Sequence, residues 1–153
     1  MPVAGLLAPE YLAERARLVS ADRSLGHAQP GRPAGATASA DGVEADLPAT
    51  THFSIVDAEG NAVALTSSIE FAFGNHRFVR GFLLNNELTD FSFVAAEGGR
   101  PVANRVEGGK RPRSSMSPTL VFDAAGRLVL VVGSPGGHAI ILYVARVLVA
   151  VLD

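Results

Sequence analysis

Residues 47–57 read LPATTHFSIVD. A stretch poor in large apolar side chains stops at two threonines, and a run of alternating aromatic and β-branched residues begins directly behind them. The plain reading of Thr50 and Thr51 is a strand entry. The alternative is chemical. Were the peptide bond between Ala49 and Thr50 broken, one residue would own both a hydroxyl nucleophile and a free α-amine. An α-amine has a reference pKa of about 7.7–8.0, low enough to act as a base near neutrality.

Upstream, residues 24–49 hold Gly or Pro at seven of 26 positions and almost no large apolar side chain, so burial cannot offset their ordering entropy, and they read as a linker. Before it, residues 6–19 bring Leu7, Tyr11, Leu12, Leu18 and Val19 to one side of a helical wheel, with Pro9 in the first turn. Downstream, THFSIVDAEGNAVALTSSIE predicts two strands joined by the turn DAEGN, and PTLVFDAAGRLVLVVGS repeats the design around DAAG. The connections between the hairpins are long and polar, the kind of segment that carries function. The run AIILYVARVLVAVLD at 139–153 is shorter than the roughly 20 residues of a bilayer span and contains Arg146, which predicts a buried helix.

The 153 residues correspond to one domain's length, enough to bury well over half of the surface the unfolded chain exposes. Thirteen basic and fifteen acidic side chains give a net charge of -2, so no broad cationic field exists for nucleic acid or an anionic membrane, and a small-molecule partner is expected. Cysteine is absent, which removes disulfides, thiol nucleophiles and thiolate metal sites. The N-terminal stretch MPVAGLLAPEYLAERARLV lacks the pattern of a secretory signal.

Three further motifs admit a plain and a chemical reading. GSPGG, residues 133–137, is either an ordinary strand-to-helix turn or a place where the amides of Gly136 and Gly137 face a developing oxyanion. KRPRSSMSPT, with Ser114 and Ser115 adjacent, is either a solvated turn or a carboxylate clamp. LLNNELTDF places Glu87 and Asp90 three apart, and with Glu70 they form either a solvated acidic surface or a cation pocket. Taken together, these are the needs of acyl transfer from a zwitterionic amino-acid substrate.

With TTHFSIVDAEGNAVALT, AFG, GFLLNNELTDFS, KRPRSSMSPT and GSPGG in this order, the sequence resembles the γ-glutamyltransferases, or glutathione hydrolases, of the N-terminal-nucleophile class. The resemblance implies an α/β fold that is part of a four-layer α/β/β/α sandwich. It implies that residues 1–49 are the tail of a large subunit and 50–153 most of a small subunit, lacking its C-terminal part. It implies self-cleavage between Ala49 and Thr50, with Thr50 as nucleophile and Ser68 as its supporting hydroxyl. Gly136 and Gly137 would form the oxyanion hole; Glu87 and Asp90, with Glu70, would receive the substrate ammonium; Ser114 and Ser115 would bind its carboxylate. No metal or organic cofactor is implied. The partners implied are a γ-glutamyl substrate, a water or amino-acid acceptor, and large-subunit residues beyond this chain, in a periplasmic or extracellular setting. A related amide acylase of cephalosporin-acylase type and a catalytically silent fragment are the rival readings.

Overall fold

The computed structural model describes residues 2–40 and 50–153. Residues 41–49 of the expected linker, Ala49 among them, lie outside the described residues. The chain divides into two compact units, Met1–Ser39 and Ala40–Asp153.

In the first unit, α1 (Val3–Leu6) and α2 (Pro9–Ala16) replace the single helix predicted over 6–19. Proline explains the break: it forces Ala8 into the extended region, ψ 128°, and is itself suited to the first helical position. Leu18 and Val19, assigned to the apolar face, fall beyond the helix and are exposed. The first part of the linker has neither helix nor strand, as its composition predicts, yet it runs back along the helices. The Arg15 guanidinium donates to the Gln29 carbonyl at 2.8 Å, and Gly31 lies against the Tyr11 hydroxyl.

The second unit is built on two hairpins. β1 (Thr50–Val56) and β2 (Ala62–Ser68) pair antiparallel from Thr50 opposite Ser68 to Val56 opposite Ala62. Their turn is organised by Asp57, whose carboxylate accepts from the Glu59 amide at 3.0 Å, the Asn61 amide at 2.8 Å and the Asn61 side chain at 2.7 Å. The Asn61 side-chain bond, ahead of the backbone ones, holds Asp57 below the usual carboxylate range.

Between the hairpins come β3 (Phe78–Val79) with β4 (Phe82–Leu83), a 3-10 turn at Glu87–Asp90, and β5 (Ala96–Glu97) with β6 (Arg100–Pro101). This connection is anchored by a small core in which Phe91, Ser92, Val102 and Ala40 are buried, with Ala40 bridged to Val102 and Ser92 to Arg105. β7 (Thr119–Phe122) and β8 (Leu128–Val132) form the second long hairpin. Asp123 repeats the turn device, accepting from the Ala125 and Arg127 amides at 2.9 Å each and from Arg127 Nε at 2.7 Å. β8 lies against both β1 and β2, and α3 (Ile140–Leu152) follows.

Two expectations need correction. α3 is a helix, but it is not buried all round: Ile140 and Val144, one turn apart, are buried, whereas Ile141, Leu142, Val149 and Leu152 are more than half exposed. The generous core expected from chain length is also absent from the described residues, whose buried apolar side chains are Ala40, Phe91, Val102, Ile140 and Val144. The reason is geometric. Phe53 opposite Leu65 and Ile55 opposite Val63 put four apolar side chains on the outer face of the β1–β2 hairpin, and all four are exposed. Among the described residues no helix is long and apolar enough to cross a membrane.

Gly74 supplies a test of the connection. Its φ is 53°, and a Cβ there would overlap the Leu84 carbonyl oxygen, which accepts from the Asn75 amide at 3.0 Å. Gly60 has φ 86° but open space around it. Alanine at either position carries the left-handed cost of about 1–2 kcal/mol, and only at Gly74 does a clash add to it. Gly74→Ala is therefore expected to lower the urea midpoint further than Gly60→Ala; equal midpoints contradict the close packing at Leu84.

Candidate active site

β1 begins at Thr50 and β2 ends at Ser68, so the seven-residue ladder sets the two hydroxyl residues side by side at one end of the hairpin. The chain leaves β2 through Ile69 and Glu70, the latter at φ 70°, a left-handed conformation that costs a residue with a Cβ. The Ser68 hydroxyl relieves this local demand by accepting from the Glu70 amide at 2.9 Å.

That bend sends the Glu70 carboxylate to the Asn86 side-chain amide. Asn86 is the organiser here: its carbonyl accepts from the Phe71 amide at 3.0 Å, its amide nitrogen also reaches Thr89 Oγ1 at 2.8 Å, and its own backbone amide donates to the Ile69 carbonyl at 3.2 Å. The 3-10 turn that follows therefore starts at a fixed place, and Glu87 and Asp90 project from it toward Ser68. Glu87 accepts a hydrogen bond from the Ser68 hydroxyl. Its other oxygen, Oε1, is buried and has no partner among the described residues. Burial first, then the charges of Asp90 and Glu70, push its carboxyl above the usual range, and the Ser68 bond opposes them.

On the far side of β8 the chain turns through residues 133–137. Gly136 has φ 132° and a Cβ there would press on the Tyr143 ring of α3, so this position demands glycine twice over. The 3-10 turn Gly137–Ala139 starts immediately, and amides that begin such a turn have no earlier carbonyl of the turn to donate to.

These pieces meet. A cleft of about 60 Å³ is lined by Thr50, Ser68, Glu87, Asp90, Ser114, Ser115 and Gly137, together with Arg113, Met116, His138 and Ile140. Seven residues singled out in the sequence for chemistry thus share one cleft. Glu70 and Gly136 do not line it: Glu70 is engaged by Asn86, and Gly136 is one residue behind Gly137. Met116, His138 and Ile140 were missed, and Arg113 stands within KRPRSSMSPT with no role assigned to it. Arg113 and Met116 lie inside KRPRSSMSPT, and His138 and Ile140 follow GSPGG within three residues. The cleft combines two carboxylates with a guanidinium and several hydroxyls, a surface complementary to a molecule bearing both an ammonium and a carboxylate.

The gamma-glutamyltranspeptidase family model matches residues 1–153. The chain belongs to that family. It is 42% identical over 150 residues to the glutathione hydrolase proenzyme of Bacillus subtilis (strain 168), a match covering 92% of this chain and 24% of that protein. It is also 42% identical over 160 residues to the glutathione hydrolase proenzyme of Pseudomonas aeruginosa, covering 100% of this chain and 27% of that one. The chain therefore spans about a quarter of the length of these curated relatives.

Among solved structures, it resembles the gamma-glutamyltranspeptidase of Pseudomonas nitroreducens complexed with L-DON, with TM-score 0.55 and 45% identity over 66% of this chain and 55% of that one. An acivicin-inhibited gamma-glutamyltranspeptidase gives TM-score 0.54 and 43% identity over 67% and 58% of the two chains. The fold is accordingly that of the N-terminal-nucleophile hydrolases, an α/β fold to which this chain contributes hairpins and α3.

The raised Glu87 carboxyl makes a prediction with a definite sign. A raised folded pKa gives stability that is fully present below the ordinary carboxylate range and lost as pH rises through the folded value. Glu87→Gln removes the buried charge and keeps an acceptor for Ser68. Melting temperatures should rise in the variant at about pH 7 and converge with the parent at about pH 3. A variant less stable than the parent at neutral pH contradicts the burial of a carboxylate with one unsatisfied oxygen.

Proposed function

We propose that the chain carries the nucleophilic half of a γ-glutamyl transfer or hydrolysis site acting on glutathione and related γ-glutamyl amides, through an acyl ester on Thr50. The observation that supports this reading is the convergence of Thr50, Glu87, Asp90, Ser114, Ser115 and Gly137 on one cleft from segments far apart in sequence. On this reading residues 1–49 are the end of a large-subunit region and 50–153 a small-subunit region, and the bond between Ala49 and Thr50 is cut by the chain itself.

The Thr50 hydroxyl attacks the γ-carbonyl carbon while its α-amine takes the proton; the oxygen that becomes negative is met by the amides of Gly136 and Gly137. The tetrahedral intermediate collapses, the C–N bond breaks, and the departing amine takes the proton back. Water or an amino-acid amine then attacks the ester and restores the threonine. Glu87 and Asp90 receive the substrate's α-ammonium, and Ser114 and Ser115 its α-carboxylate. The partnerless Glu87 Oε1 supports the first assignment, since an ammonium would supply the missing donor. Glu70 acts at one remove, through Asn86, which favours the γ-glutamyl reading over an acylase with altered acyl preference.

Because the relatives are about four times as long, we propose that residues of the kind found in the rest of such proteins complete the site. A suitable test expresses this chain with the remaining length supplied by the Bacillus subtilis relative. Intact-mass analysis should find a new N-terminus at Thr50, and Thr50→Ala should stay uncut and inactive on a γ-glutamyl anilide. Ser114→Ala combined with Ser115→Ala should raise KM, each lost hydrogen bond to a charged group being worth about 1.5–3 kcal/mol. An alanine variant that is processed as the parent is, or a serine pair whose removal leaves KM unchanged, contradicts the reading.

A further inference from the structure

His52 stands two residues along β1 from Thr50, and both of its ring nitrogens are engaged. Nδ1 lies 2.8 Å from Thr66 Oγ1 on β2, and Nε2 lies 3.1 Å from Ser54 Oγ on β1. Ser54 in turn donates its hydroxyl proton to the Val131 carbonyl of β8 at 3.4 Å. A hydroxyl has one proton to give, so with that of Ser54 committed to Val131, Nε2 is the donor to Ser54.

The ring also has a steric partner. Gly133, the residue after β8 and the first of the 133–137 turn, approaches so closely that a Cβ there would overlap His52 Cε1, Nδ1 and Nε2. Backbone of one hairpin and ring of the other are in direct contact. A side chain tied to β1, β2 and β8 at once, and pressed on the residue where β8 becomes the glycine turn, does more than satisfy its own hydrogen bonds.

We infer that His52 is a positioning residue: it is the spacer that fixes the 133–137 turn relative to the Thr50 end of β1. The inference rests on the assignment of Thr50 as nucleophile and of Gly136 and Gly137 as oxyanion donors, and it adds the element that sets the distance between them. Removing the ring lets Gly133 settle toward β1, and the two amides move with it. A shift near 1 Å is enough to cost on the order of 10²-fold in rate without touching the groups that bind substrate.

The test begins with the 153-residue chain itself, labelled with 15N. His52→Ala is expected to displace the Gly136 and Gly137 amide resonances. His52→Gln, which keeps a distal N–H for Ser54, should bring them back toward the parent. Ser54→Ala, which severs the link to Val131 and leaves the ring, should shift them less than His52→Ala and serves if that variant does not fold. Gly133→Ala should be destabilising alone and less so beside His52→Ala, because the ring it strikes is gone. In the completed enzyme His52→Ala should lower kcat on the order of 10²-fold with KM unchanged, and His52→Gln should recover part of the loss. Amides unmoved in both alanine variants, additive losses for the Gly133 and His52 pair, or a change confined to KM would each overturn the proposal. Thr50→Ala in the same assay keeps the two questions apart. Turnover surviving there rejects the nucleophile assignment, whereas the amide shifts decide the spacer either way.

Discussion

The pairing of Thr50 with Ser68 is the constraint on which the site depends. Side chains on a strand alternate between faces, so a slip of one residue between β1 and β2 would carry Thr50 to the face now occupied by Phe53 and Ile55, away from Glu87 and Gly137. The register is supported from the opposite end of the hairpin by the Asp57 carboxylate, which captures the Glu59 and Asn61 amides in the turn that sets Val56 opposite Ala62. A short polar turn at one end of the hairpin therefore governs where a hydroxyl sits at the other.

From Ser68 outward the site is a chain of demands, each met by the next residue. The positive φ of Glu70 is stabilised by the Ser68 hydroxyl; the Glu70 carboxylate is taken up by Asn86; and Asn86 starts the turn that delivers Glu87 back to Ser68. The loop closes on a carboxylate that is charged only against resistance, crowded by Asp90 and Glu70 and with one oxygen unsatisfied. Such a group gains more from an incoming cation than a solvated carboxylate does, because the cation replaces a missing partner instead of competing with water.

The hairpins and the helical nature of 140–152 were legible because alternation, aspartate-glycine turns and an apolar run are local signals. Burial was not. The same apolar pattern reads identically whether its faces are covered or open, so Leu142, expected in a buried helix, is exposed, as is Phe53. α2 starts later than its periodicity because Pro9 sets its N-terminal boundary. In the cleft, Thr50, Ser114, Ser115, Glu87 and Asp90 carry chemistry that a sequence advertises. His138 and Ile140 enter because the chain turns at Gly136, Met116 enters beside Ser114 and Ser115, and the Glu70–Asn86 pairing spans 16 positions that no local pattern links. Family resemblance filled part of that gap by supplying motif order, which local propensity lacks.

The central claim is that Thr50 is the atom-bearing nucleophile of this cleft, and the most direct measurement is to find where the acyl group rests. The chain, completed with the remaining length of a relative, is mixed with a γ-glutamyl anilide, quenched in acid within the first turnover, digested and mapped by mass spectrometry. The account predicts a γ-glutamyl ester on the peptide that begins at Thr50, absent in Thr50→Ala. An ester on Thr51, Ser68, Ser114 or Ser115, or an adduct that persists in the Thr50→Ala variant, would contradict it.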